Sequence, residues 1–319
     1  MLKNLIKIDL AKNQKLFFYI KSVSYFLAPK SYYQFRKTQL LNYFASINDL
    51  EYVNSRVSYY NKLDEKYALS VEFETINQFL KSKKKTYFFD LFQVVSLYDI
   101  QSKIAYLFGD KTHIPSIPTF IKSRPIAGNN KNSVLLKLNK VRHFIFVNDV
   151  IDYQDKKNML VWRGKVHQEH RRVLMTNFFD HELFDIGETN TKRKTEHWQK
   201  KRMSLKEQLA FKFILSIEGN DVASNLKWAM SSNSLVLMTK PKYETWFMEG
   251  TLIENHHYVL LKDDYSDVDE KIQYYIDNVS EAQGILDNAH AYVEQFKNGP
   301  REELIAYLVV DKYLKLQQL

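Results

Sequence analysis

Between Phe211 and Gly250 the hydrophobic pattern changes period twice. Lys212 to Ile217 is a short, mostly apolar run of strand length, and Glu218-Gly219-Asn220 is a turn. Val222, Ala223, Leu226, Ala229 and Met230 then recur at the spacing of one helical face, with Asp221 placed as the helix N-cap. Ser234 to Met238 is a second buried-type strand, so the stretch predicts a compact strand-turn-helix-strand unit. A glycine turn opening into a helix N-terminus presents free N–H groups and the positive end of the helix dipole, a setting suited to a phosphate or diphosphate. The same pattern also serves an ordinary βαβ unit in which Asp221 only caps its helix.

The rest of the chain is read around this unit. Leu16, Phe17, Ile20, Val23 and Leu27 lie on one side of a predicted amphipathic helix, which either packs into the core or lies on a membrane surface. At this length, interrupted by Lys21, the run is too short to span a bilayer, which takes about 20 apolar residues. Residues 30 to 108 read as mostly helical. From Asp110 to Ile126 three of the six prolines, Pro115, Pro118 and Pro125, impose extended loop and sheet edge. Ser133 to Leu138, His143 to Val147, Asn158 to Trp162 and His257 to Leu261 are strand-like, and Ser204 to Glu207 is a capping box. Helices are expected over Val268 to Val279, Ile285 to Phe296 and, after Gly299-Pro300, Glu302 to Leu316. The fold class is therefore α/β with a helix-rich N-terminal region. The expected organisation is an N-terminal, acceptor-side domain over 1–155, a nucleotide-sugar-binding domain over 156–298, and a C-terminal helix over 299–319 that packs back across them.

Composition narrows the chemistry. The 46 Lys and Arg exceed the 37 Asp and Glu to give a net charge of +9, which suits an anionic partner: nucleic acid, anionic lipid or a sugar phosphate. Cysteine is absent, so disulfides and thiolate metal sites are excluded. Neither a GxGxxG fingerprint nor a GxxxxGK[ST] phosphate loop occurs. His167 and His170 lack a third ligand, and Asp267-Val268-Asp269 is better placed to cap a helix than to hold a cation, so no metal site is expected. The basic stretch Lys192 to Lys206 would suit nucleic acid, but no nucleic-acid module accompanies it.

Three motifs stand together: KSRPI at 122–126, WRG at 162–164 with Arg171, and SIEGNDVASNLKWAM at 216–230 followed by YETWFMEG at 243–250. In this combination the chain resembles glycosyltransferase family 90, in particular its bacterial lipopolysaccharide A protein branch. That family also contains the Rumi-type protein O-glucosyltransferases and the fungal capsule-associated transferases.

The resemblance implies a GT-B-like architecture of two Rossmann-like domains facing across a cleft, and an inverting, metal-independent transfer with no cofactor beyond a nucleotide-sugar co-substrate, expected to be UDP-linked. It places nucleotide-sugar binding on Arg163, Gly164, Arg171, Gly219, Asn220, Asp221, Ser224, Asn225 and Lys227, and the catalytic base on Asp110. Glu218 is expected either to orient the nucleotide ribose or to bond neighbouring backbone N–H groups of its turn. Lys122 and Arg124 are candidates for the acceptor side or the cleft, and Glu244 either lines the cleft or closes its loop. Two positions depart from the Rumi-type pattern: Lys165 stands where serine follows the Arg-Gly pair, and Asn225 where an arginine sits in the donor helix. The expected activity is transfer of a glucose- or xylose-like sugar to lipopolysaccharide, lipooligosaccharide or another surface glycan. The expected setting is cytoplasmic, peripheral at the inner face of a membrane and in contact with anionic lipid. A non-catalytic carbohydrate-binding protein or a nucleic-acid-binding protein is the alternative.

Overall fold

The computed structural model describes residues 10–190 and 197–318, with side chains described from Lys15 onward. Lys192, Arg193 and Lys194 of the basic stretch thus lie outside the described residues. The chain divides into two compact units: unit 1 takes residues 1–124, 128–144 and 298–319, and unit 2 takes residues 125–127 and 145–297.

Unit 2 is built on a five-stranded, wholly parallel sheet. Its strands are β1 (Lys157–Gly164), β2 (Phe184–Glu188), β3 (Phe211–Leu215), β4 (Leu235–Met238) and β5 (Val259–Leu260). Their spatial order is β2-β1-β3-β4-β5. In register, Leu160 of β1 faces Phe184 and Phe213, and Phe213 faces Leu235. Parallel strands covered on both faces read as continuous apolar runs, and Phe211 to Leu215 and Leu235 to Met238 are buried at every position. Helices Glu169–Phe178, Val268–Asp277 and Val279–Glu294 cover the sheet, and Leu174, Met175, Ile272, Ala282 and Ile285 join its core.

The 2-1-3-4-5 order reverses between β1 and β3. In open α/β sheets, ligands sit outside the carboxyl ends of the strands at that reversal. Here those ends are Arg163-Gly164 and the segment that follows Leu215.

Unit 1 is mostly helical around a short three-stranded parallel sheet of Tyr106–Leu107, Thr119–Ile121 and Ser133–Leu135. Its main helices are α1 (Leu10–Phe26), α2 (Lys30–Ser46), α3 (Leu50–Tyr60), α4 (Thr86–Val95) and, from the end of the chain, Gly299–Lys315. The terminal helix has Asn298 as a bonded N-cap and Pro300 in its first turn. Its Glu302 pairs with Arg56 of α3 at 2.8 Å, with both side chains buried, and Tyr313 donates to Pro118 O at 2.9 Å.

Three sequence expectations are corrected here. Thr119–Ile121 is the buried central strand of its sheet and not an edge, since Pro118 ends just before the hydrogen-bonded positions. His143–Val147 is not a strand: Lys140–His143 form a helical turn and the rest is irregular. The helix after Gly219 begins only at Leu226 and ends at Met230, so Asp221 is not its N-cap, and Val222 and Ala223 are buried from the irregular segment before it.

Candidate active site

β1 ends at Gly164, and its last side chains set the geometry of the reversal. A Cβ built on Gly164 would stand 2.3 Å from Trp162 Cζ2, so the buried Trp162 ring occupies the space a side chain would need. The Arg171 guanidinium lies over the same ring, 5.3 Å from its centroid.

From there Arg171 spans the crevice. Its Nε donates to Glu218 O at 3.0 Å, Nη2 to Ile217 O at 2.9 Å and Nη1 to Lys165 O at 2.8 Å. One planar fork thus ties the loop after β1 to the loop after β3. His170 Nε2 also donates to Glu218 O, at 2.9 Å, and burial lowers its pKa and favours the neutral ring. His170 therefore braces a loop. Gln168 Nε2 donates to Asn220 Oδ1 at 2.8 Å. A Cβ on Gly219, at the tip of the loop, would stand 3.4 Å from Arg171 Nη2.

The loop's own bonds correct the expected anion cradle. The Gly219 N–H donates to Asp221 O at 2.9 Å, and a five-residue helix beginning at Leu226 offers no dipole at Gly219. Positive charge at the crevice comes instead from side chains: Arg171, the exposed Lys165, and the exposed Lys242, whose Nζ lies 3.4 Å from Asp263 Oδ2. Asn225, which precedes the helix, donates from Nδ2 to Leu215 O at 2.9 Å and fastens it to β3. Ser224 is half-buried beside it, and Asp221 is buried.

Glu218 Oε1 accepts from the backbone N–H groups of Lys242 and Tyr243, at 3.0 and 3.1 Å. Burial pushes its pKa from 4.5 up to about 7, against the lowering effect of those two N–H bonds. The folded state therefore holds this proton more tightly than the unfolded chain. The contribution to stability is fully present below about pH 4.5 and is lost as the pH rises through about 7. Denaturation midpoints measured across this window should fall with pH in the parent protein relative to Glu218→Gln; parallel profiles would refute the assignment.

Lys227 is wholly buried and ion-paired with Glu249, whose carboxylate also accepts from Thr245 N at 2.6 Å and Thr245 Oγ1 at 2.9 Å. Glu244 is buried on the strand Tyr243–Thr245. Arg163 points away from the Arg171 cluster: Nη2 pairs with Asp185 Oδ1 at 2.7 Å and Nε donates to Lys201 O at 3.1 Å. Burial of Asp185 is outweighed by bonds from Arg163 and Lys200, which hold its pKa below the ordinary value.

In unit 1, Asp110 is partly exposed and its Oδ1 lies 2.5 Å from Nζ of the buried Lys122. Arg124 is fully buried and donates to Tyr59 O at 2.7 Å and Ser133 O at 3.0 Å, a bracing part inside the fold. The structure thus gathers Gly164, Arg171, Glu218, Gly219 and Asn220 at one sheet reversal. Arg163, Lys227 and Arg124 are spent on internal partners. His170, Gln168, Asp185 and Glu249 were not singled out as site residues by sequence, since each acts through a partner distant in the chain.

The sequence model for glycosyl transferase family 90 matches residues 135–319, more than half of the chain. An O-glucosyltransferase LpsA of Dichelobacter nodosus is 42% identical over 264 residues, covering 83% of each chain. Protein O-glucosyltransferase 3 of Rattus norvegicus is 26% identical over 169 residues, 51% of this chain and 33% of that protein.

Proposed function

Because the chain belongs to glycosyl transferase family 90 and is a glycosyltransferase, we propose that it transfers glucose from a nucleoside-diphosphate glucose, UDP-linked, to a hydroxyl of a lipopolysaccharide or lipooligosaccharide glycan. The observation that carries this reading is the Arg171 fork at the β1/β3 reversal, where a parallel sheet of this order takes its ligand. Both relatives named above are O-glucosyltransferases, which favours glucose over a pentose. The GT-B organisation, inversion, independence of metal and a peripheral location at the inner membrane face belong to the same proposal.

The acceptor oxygen attacks the anomeric carbon as the bond from that carbon to the diphosphate oxygen breaks. The bonding pair leaves with the nucleoside diphosphate, and the acceptor proton passes to Asp110. Lys122 fixes the Asp110 carboxylate through their 2.5 Å contact. Arg171, with Lys165 and Lys242, offsets charge developing on the departing diphosphate. Glu218, held by two backbone N–H groups, accepts a ribose hydroxyl bond when ionised in this reading.

Release of UDP from UDP-glucose in the presence of purified truncated lipooligosaccharide tests the reading. Acceptor-dependent release that persists in EDTA is expected, and Asp110→Asn should lower it by about a hundredfold or more. Absence of product from UDP-glucose would overturn the donor, and loss of activity in EDTA would overturn the metal-free mechanism.

A further inference from the structure

Helix α1 carries two apolar faces, and among the described residues one of them is covered. Tyr19, Ser22, Tyr25 and Phe26 form the packed face: Tyr19 meets Phe89 at 6.0 Å and Phe26 meets Phe92 at 5.0 Å between ring centroids, and Ser22 is buried. On a neighbouring face Leu16, Ile20 and Val23 fall in one narrow stripe, continued by Leu27 just past the helix end. They are 57%, 54%, 43% and 73% exposed, and Phe17 beside them is 63% exposed. An exposed apolar stripe on a helix suits a partner surface or lipid, and among the described residues no core packs against the outer face of α1.

Charge identifies what covers it. The first 48 residues carry eight Lys and Arg against the single acidic residue Asp9, so they hold most of the net charge of +9. Lys15, Lys21 and Lys30 are exposed along and just beyond α1. A second basic group, Lys81, Lys83, Lys84 and Lys85, is also exposed, and Lys84 Nζ stands 5.3 Å from the Phe26 ring at the end of the same helix. An apolar stripe with cations around it matches the boundary between anionic headgroups and acyl chains, whereas a second copy of the chain would bring like charge against like.

We propose that the outer face of α1 docks on an anionic lipid bilayer, with Leu16, Phe17, Ile20, Val23 and Leu27 entering the headgroup boundary and the lysines of α1 and of 81–85 meeting the phosphates. No helix among the described residues is long and apolar enough to cross a membrane, so α1 lies in the interface plane. This gives a surface to the membrane part of the reading above, yet it stands on unit 1 alone, so vesicle binding and glucosyl transfer succeed or fail separately.

Co-sedimentation of the full chain with phosphatidylcholine vesicles, with and without phosphatidylglycerol, tests it. Binding to the phosphatidylglycerol vesicles at low salt is expected, with affinity at least about tenfold weaker on phosphatidylcholine alone or at high salt. Ile20→Glu/Leu27→Glu should weaken vesicle binding by about tenfold or more while the melting temperature and UDP release with a soluble acceptor stay at parent values. Lys83→Glu/Lys85→Glu should remove part of the salt-sensitive component. Indifference of the parent protein to anionic vesicles overturns the proposal, as does vesicle binding unchanged in Ile20→Glu/Leu27→Glu. Self-association that this double variant abolishes, in the absence of vesicle binding, would assign the face to a second copy instead.

Discussion

Gly164→Ala is expected to lower kcat/KM for glucosyl transfer by about a hundredfold, the cost of displacing a reacting group by about 1 Å. The new Cβ would meet Trp162 Cζ2 at 2.3 Å, and that ring is buried and cannot swing aside as a flexible chain end would. The ring must shift, and Arg171 rests on it. The fork that joins Lys165 O to Ile217 O and Glu218 O would then lose its alignment, and with it the shape of the crevice. Steady-state kinetics with UDP-glucose, beside far-UV circular dichroism to show that the fold persists, check this. A Gly164→Ala protein of parent activity would mean that the β1 end does not shape the donor site.

Glu249→Ala is expected to destabilise the protein by about 3–5 kcal/mol, the range for leaving a buried charge without its partner. Lys227 is completely buried, and the substitution would remove the carboxylate paired with its ammonium and also the acceptor for Thr245 N and Thr245 Oγ1. Lys227→Met/Glu249→Gln removes both charges and keeps an acceptor for Thr245, so it should recover a large part of the loss. Denaturant midpoints of the two variants measure the difference. A Glu249→Ala protein within about 1 kcal/mol of the parent would show that the pair does not hold the helix Leu226–Met230 in place.

What the sequence made legible follows from what its patterns encode. β1, β3 and β4 are visible because buried parallel strands are mostly apolar runs, whereas β2, with Phe184 and Ile186 as its only large apolar residues, carries no such signal. Val222 and Ala223 recur at helical spacing because they are buried, but burial from a bend leaves the same spacing as burial from a helix. For α1 the apolar period is right, but of the two fates open to that stripe it does not take the core: the aromatic residues on the neighbouring face make the core contacts.

At the candidate site, Gly164, Arg171 and the turn at 218–220 were legible as residue types in motifs. Their uses were not, because these depend on partners far along the chain. Arg163 and Arg171 look equivalent in sequence, yet one is spent on Asp185 of the neighbouring strand and the other bridges two loops. Lys227 looks like a free cation for a diphosphate until Glu249 is found against it.

The central claim is that a nucleotide-sugar binds at the β1/β3 reversal through Arg171. The most direct measurement is a thermal-shift comparison of the parent protein and Arg171→Lys against UDP, UDP-glucose, GDP and CMP, with and without EDTA. The account predicts that a uridine ligand at 100 times its dissociation constant stabilises the parent by about 2.7 kcal/mol regardless of EDTA. Arg171→Lys, which cannot reproduce the planar fork, should show a clearly smaller shift at the same concentration. Equal shifts in both proteins, or silence from every nucleotide in the parent, would contradict the account.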